Sequence, residues 1–258
     1  MVCIVGLCVE RAYTMIMQGF PVPDDPDARV WRYLDLAKFV WLLEKKQLWF
    51  TRADKLGDSF EMTLPAGTVN ELALLHQSLI EAGTIPAGRP EEVAELRSRL
   101  RKRLFVSSWH LSEFESQAMW RLFCGPSQGL VIQTRFRTLT ASLPVTIGRV
   151  TYLDYNKDSF PELLPDLVHM APVMFKRQAF AYEQELRAVL HYEWEEDRGR
   201  HVDGVGLEWD PSRHVENIYT HPDAPYFFTE TVEAVVKALA PGLSRRVFYS
   251  QLARAPHP

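Results

Sequence analysis

The stretch WRYLDLAKFVWLLEKKQLWFTR, residues 31–52, carries the clearest structural pattern in the chain. Its apolar side chains recur at the spacing of one helix face, at Leu36, Phe39, Val40 and Leu43. Asp35 directly precedes this pattern and is a residue type that caps helices. Residues 47–52 alternate instead, with Leu48 and Phe50 on one side, which is typical of a half-buried strand. The stretch therefore predicts a helix that leads directly into a strand.

Outward from this stretch, the same two kinds of pattern recur along the chain. Alternating and β-branched runs predict strands at residues 104–109, 129–134, 145–152, 186–192, 215–220 and 247–250. Helical spacing predicts helices at residues 70–80, 113–123, 158–184 and 229–239, and another that starts at residue 90. Because strands and helices are intermingled without regular βαβ spacing, we expect an α+β fold with six to eight strands.

The domain boundaries are suggested by local composition. Residues 20–29, FPVPDDPDAR, hold three prolines and three aspartates, which is typical of an irregular segment. We therefore expect an N-terminal lead-in at residues 1–30 and a single α+β domain at residues 31–258. The helices expected at about 65–103 would form a local insertion in that domain.

Composition excludes several classes of protein. With 47% hydrophobic and 24% charged residues, the 258-residue chain is an ordinary globular one rather than a disordered or fibrous one. Its 29 basic and 33 acidic residues give a net charge of −4, so no overall positive field attracts nucleic acid or an anionic membrane. The three cysteines, which form no CxxC pair, argue against a disulfide framework or a cysteine zinc site and suit a cytoplasmic location.

The strongest local signal for chemistry is AFAYEQELRAVL, residues 179–190. Glu183 and Glu185 stand at the start of a predicted strand, and alternate residues of an extended segment point the same way. Two carboxylates would then face one pocket, where their mutual repulsion raises at least one pKa. The alternative is a solvated edge or a salt bridge to Arg187 or Lys176. The fragment alone does not decide between them.

Two further features each have a functional and a structural interpretation. Arg32 lies between two aromatic residues, so its guanidinium either reaches solvent or grips an anion in a cleft. The basic run at residues 97–103 could contact phosphate, but its place at a predicted helix C-terminus favours a role in helix electrostatics.

A hard-cation site, as in nucleases, could be formed by four residues. They are Asp58, Glu61, His110 and Glu113.

Several blocks together resemble a bacterial family catalogued as domain of unknown function 2971. They span residues 31–190, well over half of the chain. The blocks are WRYLDLAKFVWLLEKKQLWFTRADKLGDSFE (31–61), FVSSWHLSEFESQAMWRLF (105–123), GLVIQT (129–134), IGRVTYLDY (147–155) and FKRQAFAYEQELRAVL (175–190). This resemblance indicates kinship rather than a chemistry.

A second resemblance, to ADP-ribosyltransferases of the Arg-Ser-Glu type, suggests a mechanism. The order of motifs is similar: Arg32 on an early strand, Ser107 and Ser108 on a later one, and Glu183 with Glu185 opening a third. The resemblance implies a split antiparallel β-sheet, flanked by helices, that clasps NAD. NAD would be the substrate, and no metal would be needed.

In the mechanism that this resemblance suggests, four residues are candidates for the binding of NAD. Arg32 would bind the pyrophosphate through charge-assisted hydrogen bonds. The nicotinamide ring needs an aromatic wall, which Tyr33, Trp109 or Tyr182 could provide by stacking.

Catalysis would fall to three more residues. Glu185 would bind the ribose 2′-hydroxyl and stabilise the positive charge that develops on the ribose. Glu183 would orient or deprotonate the acceptor group, and Ser107 would hold Glu185 in place.

The leading hypothesis is therefore an intracellular NAD-consuming enzyme, acting in phage defence or as a toxin. Its acceptor would be a protein, a nucleic acid or water, and water would make it an NAD glycohydrolase. One alternative is a metal-dependent nuclease. Another is a non-catalytic sensor that binds a partner through the helices at residues 65–103.

Overall fold

The computed structural model describes residues 20–84, 95, 98–99, 101–161, 171–191 and 203–253. The strands are β1 Arg29–Asp35, β2 Gln47–Arg52, β3 Leu104–Leu111, β4 Gly129–Arg135, β5 Thr146–Arg149, β6 Thr151–Leu153, β7 Phe175–Arg177, β8 Glu185–His191, β9 Gly204–Glu208, β10 Asn217–Thr220 and β11 Val247–Tyr249. The α-helices are α1 Leu36–Lys45, α2 Ala66–Glu81, α3 Gln117–Phe123, α4 Phe136–Ser142, α5 Pro211–His214 and α6 Tyr226–Leu239.

Nine of these strands form one mixed sheet. The order β11-β10-β4-β1-β3-β2-β9 follows one path, and β8 joins β3 to β5. The neighbours are antiparallel, except that β10 and β11 run parallel. Strands β6 and β7 form a separate parallel pair. The expected α+β class is confirmed, while the expected count of six to eight strands is too low.

The sheet divides at β3. Strand β8 pairs with one edge of β3 along residues 104–110, and β1 and β2 share the other edge. There, β2 pairs with Phe105 and Val106, whereas β1 pairs with His110 and Leu111. Residues 107–109 therefore have a ladder partner on β8 alone, and a gap opens between β1 and β2. The ten-residue helix α1 connects these two strands across the gap.

One face of the sheet carries the main hydrophobic core. Apolar side chains of the sheet pack there against α1, α4 and α6, which present their own apolar faces. The opposite face has two smaller clusters, one around Phe175 and Val189 and one around Trp31 and Trp120. Between these clusters the strands present a row of polar side chains. They are Ser108 and His110 of β3, and Glu185 and Arg187 of β8.

The local predictions around α1 are confirmed. Asp35 caps α1, since its carboxylate accepts a hydrogen bond of 2.8 Å from the Lys38 N–H. Strand β2 has the bounds that the alternation indicates. The region expected to form a helical insertion contains α2, and most of the helix expected from residue 90 lies outside the described residues.

The prediction for residues 158–184 is wrong, and several elements have no predicted counterpart. Within the described part of residues 158–184, the expected helices are replaced by β7 and by two 3-10 segments, Ala171–Met174 and Gln178–Glu183. Strand β9 was not predicted, because its glycines have low strand propensity. Gly204 is required there by close approach, because a Cβ would lie 2.5 Å from the backbone carbonyl oxygen of Phe50.

The described end of the expected lead-in packs on the sheet. Phe20 is buried against the ring of Phe175, and the carbonyl of Pro21 accepts a hydrogen bond from the Arg149 N–H. Among the residues described, no helix is long and apolar enough to span a lipid bilayer.

Candidate functional site

Arg32 bridges the gap in the sheet. Its Nη1 donates to the Ser107 hydroxyl, and its Nη2 donates to the Trp49 carbonyl over 3.0 Å. A longer contact of 3.5 Å joins Nη1 to the Ser108 carbonyl. The guanidinium on β1 thus touches β2 and β3 at the point where these strands separate. Arg32 lies in the middle of β1.

The charge of Arg32 has no acidic partner in the described part of the chain. None of the ion pairs there includes it, and its partners are a hydroxyl and two carbonyls. The guanidinium also lies 5.7 Å from the ring centre of Trp109. Burial lowers its pKa to about 10. A desolvated cation without a counter-charge favours the binding of an anion.

Arg32 lines a cavity of about 620 Å³ between β1, β2 and α1. This volume is in the range of small-molecule sites. Its other walls are mostly apolar and aromatic, with a few polar side chains. They are formed by Tyr33, Leu34, Ala37, Lys38, Trp41, Leu42, Gln47, Leu48, Trp49, Thr51, Leu56, Val106, Ser108 and Phe123.

Glu183 and Glu185 belong to a buried cluster of five charged side chains. Its three carboxylates and two cations are each at most 10% exposed. Lys176 Nζ lies 2.6 Å from Glu183 and 3.3 Å from Glu185, so one ammonium joins both carboxylates. Arg187 contacts both oxygens of Glu185 at 2.8 and 3.0 Å. Glu61 completes the cluster at 2.7 Å from Arg187.

The two carboxylates meet for a different reason from the one predicted. The segment is not extended: Glu183 ends a 3-10 helix, and Gln184 has a left-handed backbone with φ 40°. Glu185 then begins β8. The tight turn and the shared Lys176, rather than strand alternation, bring the carboxylates together. The sequence left two alternatives for this pair, a pocket or a salt bridge, and the structure shows both. Lys176 and Arg187 bind the carboxylates, which also line a small pocket.

The surroundings move the pKa values of the two carboxylates in opposite directions. Burial raises the pKa of Glu183, and the hydrogen bond and charge of Lys176 do not overcome that effect. Burial also acts to raise the pKa of Glu185, but the charges of Arg187 and Lys176 outweigh it and lower the pKa to about 2. Of the two carboxyls, Glu185 is therefore the one held in the ionised form and Glu183 the one that takes up a proton more readily.

The serine next to Glu185 is not the one predicted. Ser107 is fully buried, pairs with Ala188 and contacts Arg32 on the core face of the sheet. Ser108 faces the other side, where a hydrogen bond to Glu185 contributes to the low pKa of that carboxyl. The predicted contact from Ser107 to Glu185 is therefore wrong, because adjacent strand residues point to opposite faces.

The two carboxylates line a small pocket next to the large cavity. The small pocket has a volume of about 60 Å³ and is lined by Glu183, Glu185 and parts of β1 and β3. Three residues line both cavities: Tyr33, Ser108 and Phe123. Arg32 therefore lies on the core face of the sheet and Glu185 on the opposite face, and the spaces that they line share these three residues as a common wall.

The three candidate aromatic residues occupy different positions. Tyr33 stands between the cavities, and its hydroxyl accepts a hydrogen bond of 2.9 Å from the Ser116 N–H. Trp109 is almost fully buried beside Arg32 and reaches the small pocket. Tyr182 is 45% exposed and lines neither cavity. Tyr33 is thus the best placed of the three to contact a bound ring.

The residues proposed for a nuclease site do not come together. Asp58 is bound by Arg177, and Glu61 by Arg187. His110 Nδ1 lies 2.6 Å from the Glu183 carbonyl, and Glu113 is exposed. Across the residues that are described, no group of three or more metal-ligating side chains is present.

The basic run at residues 97–103 is described only in part. There, Arg99 pairs with Glu95 and Arg101 donates to the Met62 carbonyl, so both arginines have structural partners.

Several members of the site carried no usable signal in the sequence. Glu61 belongs to the carboxylate cluster although it stood out only as a possible metal ligand. Trp41, Trp49 and Phe123 line the large cavity, but aromatic residues in such patterns are more often core residues. Their role depends on the gap between β1 and β2, which no local pattern predicts.

Comparison of the chain with protein-family models, with curated proteins and with solved structures finds no significant match.

Proposed function

We propose that the protein consumes NAD, as an ADP-ribosyltransferase or, with water as acceptor, as an NAD glycohydrolase. One observation carries the proposal: a guanidinium without an acidic partner among the described residues and a pair of carboxylates line two cavities that share a wall where the sheet divides. An ADP-ribosyltransferase-like split sheet is part of the same proposal, supported by the way β1 and β2 share one edge of β3.

The large cavity suits the anionic and aromatic parts of a dinucleotide. Arg32 has five N–H donors, and three hydrogen bonds to described residues leave others for a pyrophosphate. Such charge-assisted bonds are roughly twice as strong as neutral ones. Tyr33, in the wall shared by the two cavities, would contact the nicotinamide ring.

The reaction breaks the bond between ribose C1 and the nicotinamide nitrogen. The electron pair of that bond goes to the pyridinium ring, which leaves as neutral nicotinamide, and positive charge develops on the ribose. Glu185, kept ionised by Arg187 and Lys176, would stabilise that charge and bind the 2′-hydroxyl.

The acceptor then forms a new bond to C1 and loses a proton. Glu183 is the base for that proton, since burial raises its pKa towards the range in which a carboxyl exchanges protons efficiently. With water as the acceptor, the products are ADP-ribose and nicotinamide.

The test follows nicotinamide release from NAD by the purified protein. We expect release by the wild type and a loss of about 100-fold or more in Glu185→Gln, because an interaction made in the transition state is removed. Glu216→Gln is a matched control, since Glu216 is also ion-paired, with Arg135 on β4, but lies outside both cavities. Absence of release by the folded wild type, or equal release by Glu185→Gln, would overturn the proposal.

A further inference from the structure

We infer that Glu61 and Arg187 form a positioning pair that fixes the carboxylate of Glu185 for the reaction. The inference rests on the proposed function and adds to it two residues that do not themselves touch NAD. It follows from the hydrogen bonds of one buried guanidinium.

All five N–H donors of Arg187 are used. Nε donates to Glu185 at 2.8 Å, and Nη2 donates to Glu185 at 3.0 Å and to Glu61 at 2.7 Å. Nη1 donates to Glu61 at 3.0 Å and to the Val173 carbonyl at 2.6 Å. The guanidinium therefore binds two carboxylates in a bidentate way, one on each side. With no donor left over and 1% exposure, it has one orientation.

Glu61 is itself held in place. It lies in the turn after β2, where its N–H donates to the Asp58 carbonyl over 2.9 Å. The next residue, Met62, is buried in a left-handed conformation with φ 62°, and its carbonyl accepts from Arg101. Such a backbone persists only where the surroundings determine it. Glu61 is thus a fixed anchor for a guanidinium 126 residues away on β8.

The fixed guanidinium determines the orientation of the Glu185 carboxylate. Arg187 donates hydrogen bonds to both of its oxygens, so the plane of the carboxylate follows the plane of the guanidinium. A catalytic carboxylate must hold its position to within about half an ångström. Removing Glu61 would leave two donors of Arg187 unpaired, so that the guanidinium and Glu185 could both reorient.

The test compares Glu61→Gln with Asp58→Asn. Asp58 lies in the same turn and is bound in a bidentate way by Arg177, but that pair does not touch Glu185. We expect Glu61→Gln to lower kcat for NAD consumption by about 10- to 100-fold, because Glu185 is misplaced. KM for NAD should stay within about twofold, because Arg32 is untouched. Asp58→Asn should keep the wild-type kcat.

A second readout does not depend on turnover. In a guanidinium held by five hydrogen bonds, rotation of the Nη groups is slow, so the Arg187 N–H signals in NMR spectra should be resolved. They should broaden in Glu61→Gln and stay sharp in Asp58→Asn. If Glu61→Gln does not fold, Glu61→Asp keeps the charge, is too short to bridge both Nη groups, and should show the same changes in smaller degree.

The outcomes separate the two claims. A wild type that does not consume NAD contradicts the proposed function, whereas the Arg187 signals still test the pairing. Unchanged kcat in folded Glu61→Gln and Glu61→Asp, or Arg187 signals that remain sharp in both, would overturn the positioning role.

Discussion

Glu183 and Glu185 are separated by one residue, but their electrostatic surroundings differ. Arg187 binds both oxygens of Glu185, whereas Glu183 has Lys176 as its cationic partner. The three carboxylates and two cations of the cluster carry a formal charge of −1 when all are ionised. Burial raises the pKa of Glu183, and the neighbouring charge of Glu185 acts in the same direction.

The low pKa of Glu185 implies that the free energy of unfolding depends on pH. The ionised form is stabilised in the folded protein, so its contribution is present above the pKa of an unfolded glutamate, about 4.3. It is lost as pH falls from there through the folded pKa of about 2. The free energy of unfolding of Glu185→Gln should be lower than that of the wild type by on the order of 3 kcal/mol at pH 7. This difference in the free energy of unfolding should become smaller as pH falls towards 3.

Urea unfolding of the wild type and of Glu185→Gln between pH 7 and pH 3 measures the difference in their free energies of unfolding. A difference in the free energy of unfolding that stays constant over this range would show that the charge of Glu185 does not stabilise the fold.

At the scale of elements, α1 connects β1 and β2 across the gap between them. The helix follows β1 without a break, and one residue, Lys46, with a left-handed backbone at φ 51°, connects it to β2. Its buried residues Phe39, Leu42 and Leu43 pack on the core face of the sheet. The start of α1 is therefore also one wall of the large cavity, which includes Ala37 and Lys38.

The cap of α1 should contribute measurably to stability. Asp35→Ala removes the acceptor for the Lys38 N–H and should lower the free energy of unfolding by about 1 kcal/mol. Asp35→Asn is the matched control, because asparagine caps helices about as well and loses only an exposed ion pair with Lys38. Chemical denaturation of the three proteins measures the difference. Equal losses in both variants would assign the effect to the ion pair rather than the cap.

At the scale of the whole molecule, the division of the sheet places the binding groups. Arg32 on β1 and the carboxylates at the start of β8 belong to strands on opposite edges of β3. They face adjoining cavities only because β1 leaves β3 after Trp31. A ligand that fills both cavities would contact both halves of the sheet and stabilise the folded state as a unit.

We therefore expect NAD to raise the melting temperature. At a concentration 100 times Kd, binding adds about 2.7 kcal/mol, which corresponds to roughly 5–10 °C for a protein of this size. The shift should be lost in Arg32→Ala, because the pyrophosphate loses its cation. Arg135→Ala is the matched control, since Arg135 pairs with Glu216 and lines neither cavity. Thermal denaturation with a non-hydrolysable NAD analogue avoids turnover. The same shift in Arg32→Ala as in the wild type would exclude Arg32 from binding.

Local sequence patterns predicted those parts of the structure that depend on residues close together in the chain. The alternation at residues 47–52 and the cap at Asp35 depend on neighbours along the chain, and both are confirmed. Strand β9 and the turn at Gln184 depend on contacts with distant residues, and neither was predicted. The choice between Ser107 and Ser108 needed the strand register, because a shift of one residue exchanges the two faces.

The sequence by itself determined the α+β class, the main strands and the residue types available for chemistry, because propensity, capping and periodicity act over a few residues. Tertiary structure alone decided which of those residues meet. It joined Glu61 to Arg187, placed Lys176 between two carboxylates and left Arg32 without an acidic partner among the described residues. The physical reason is that pairing across β3 brings together groups more than 100 residues apart, and burial then gives their charges an effect that they lack in water.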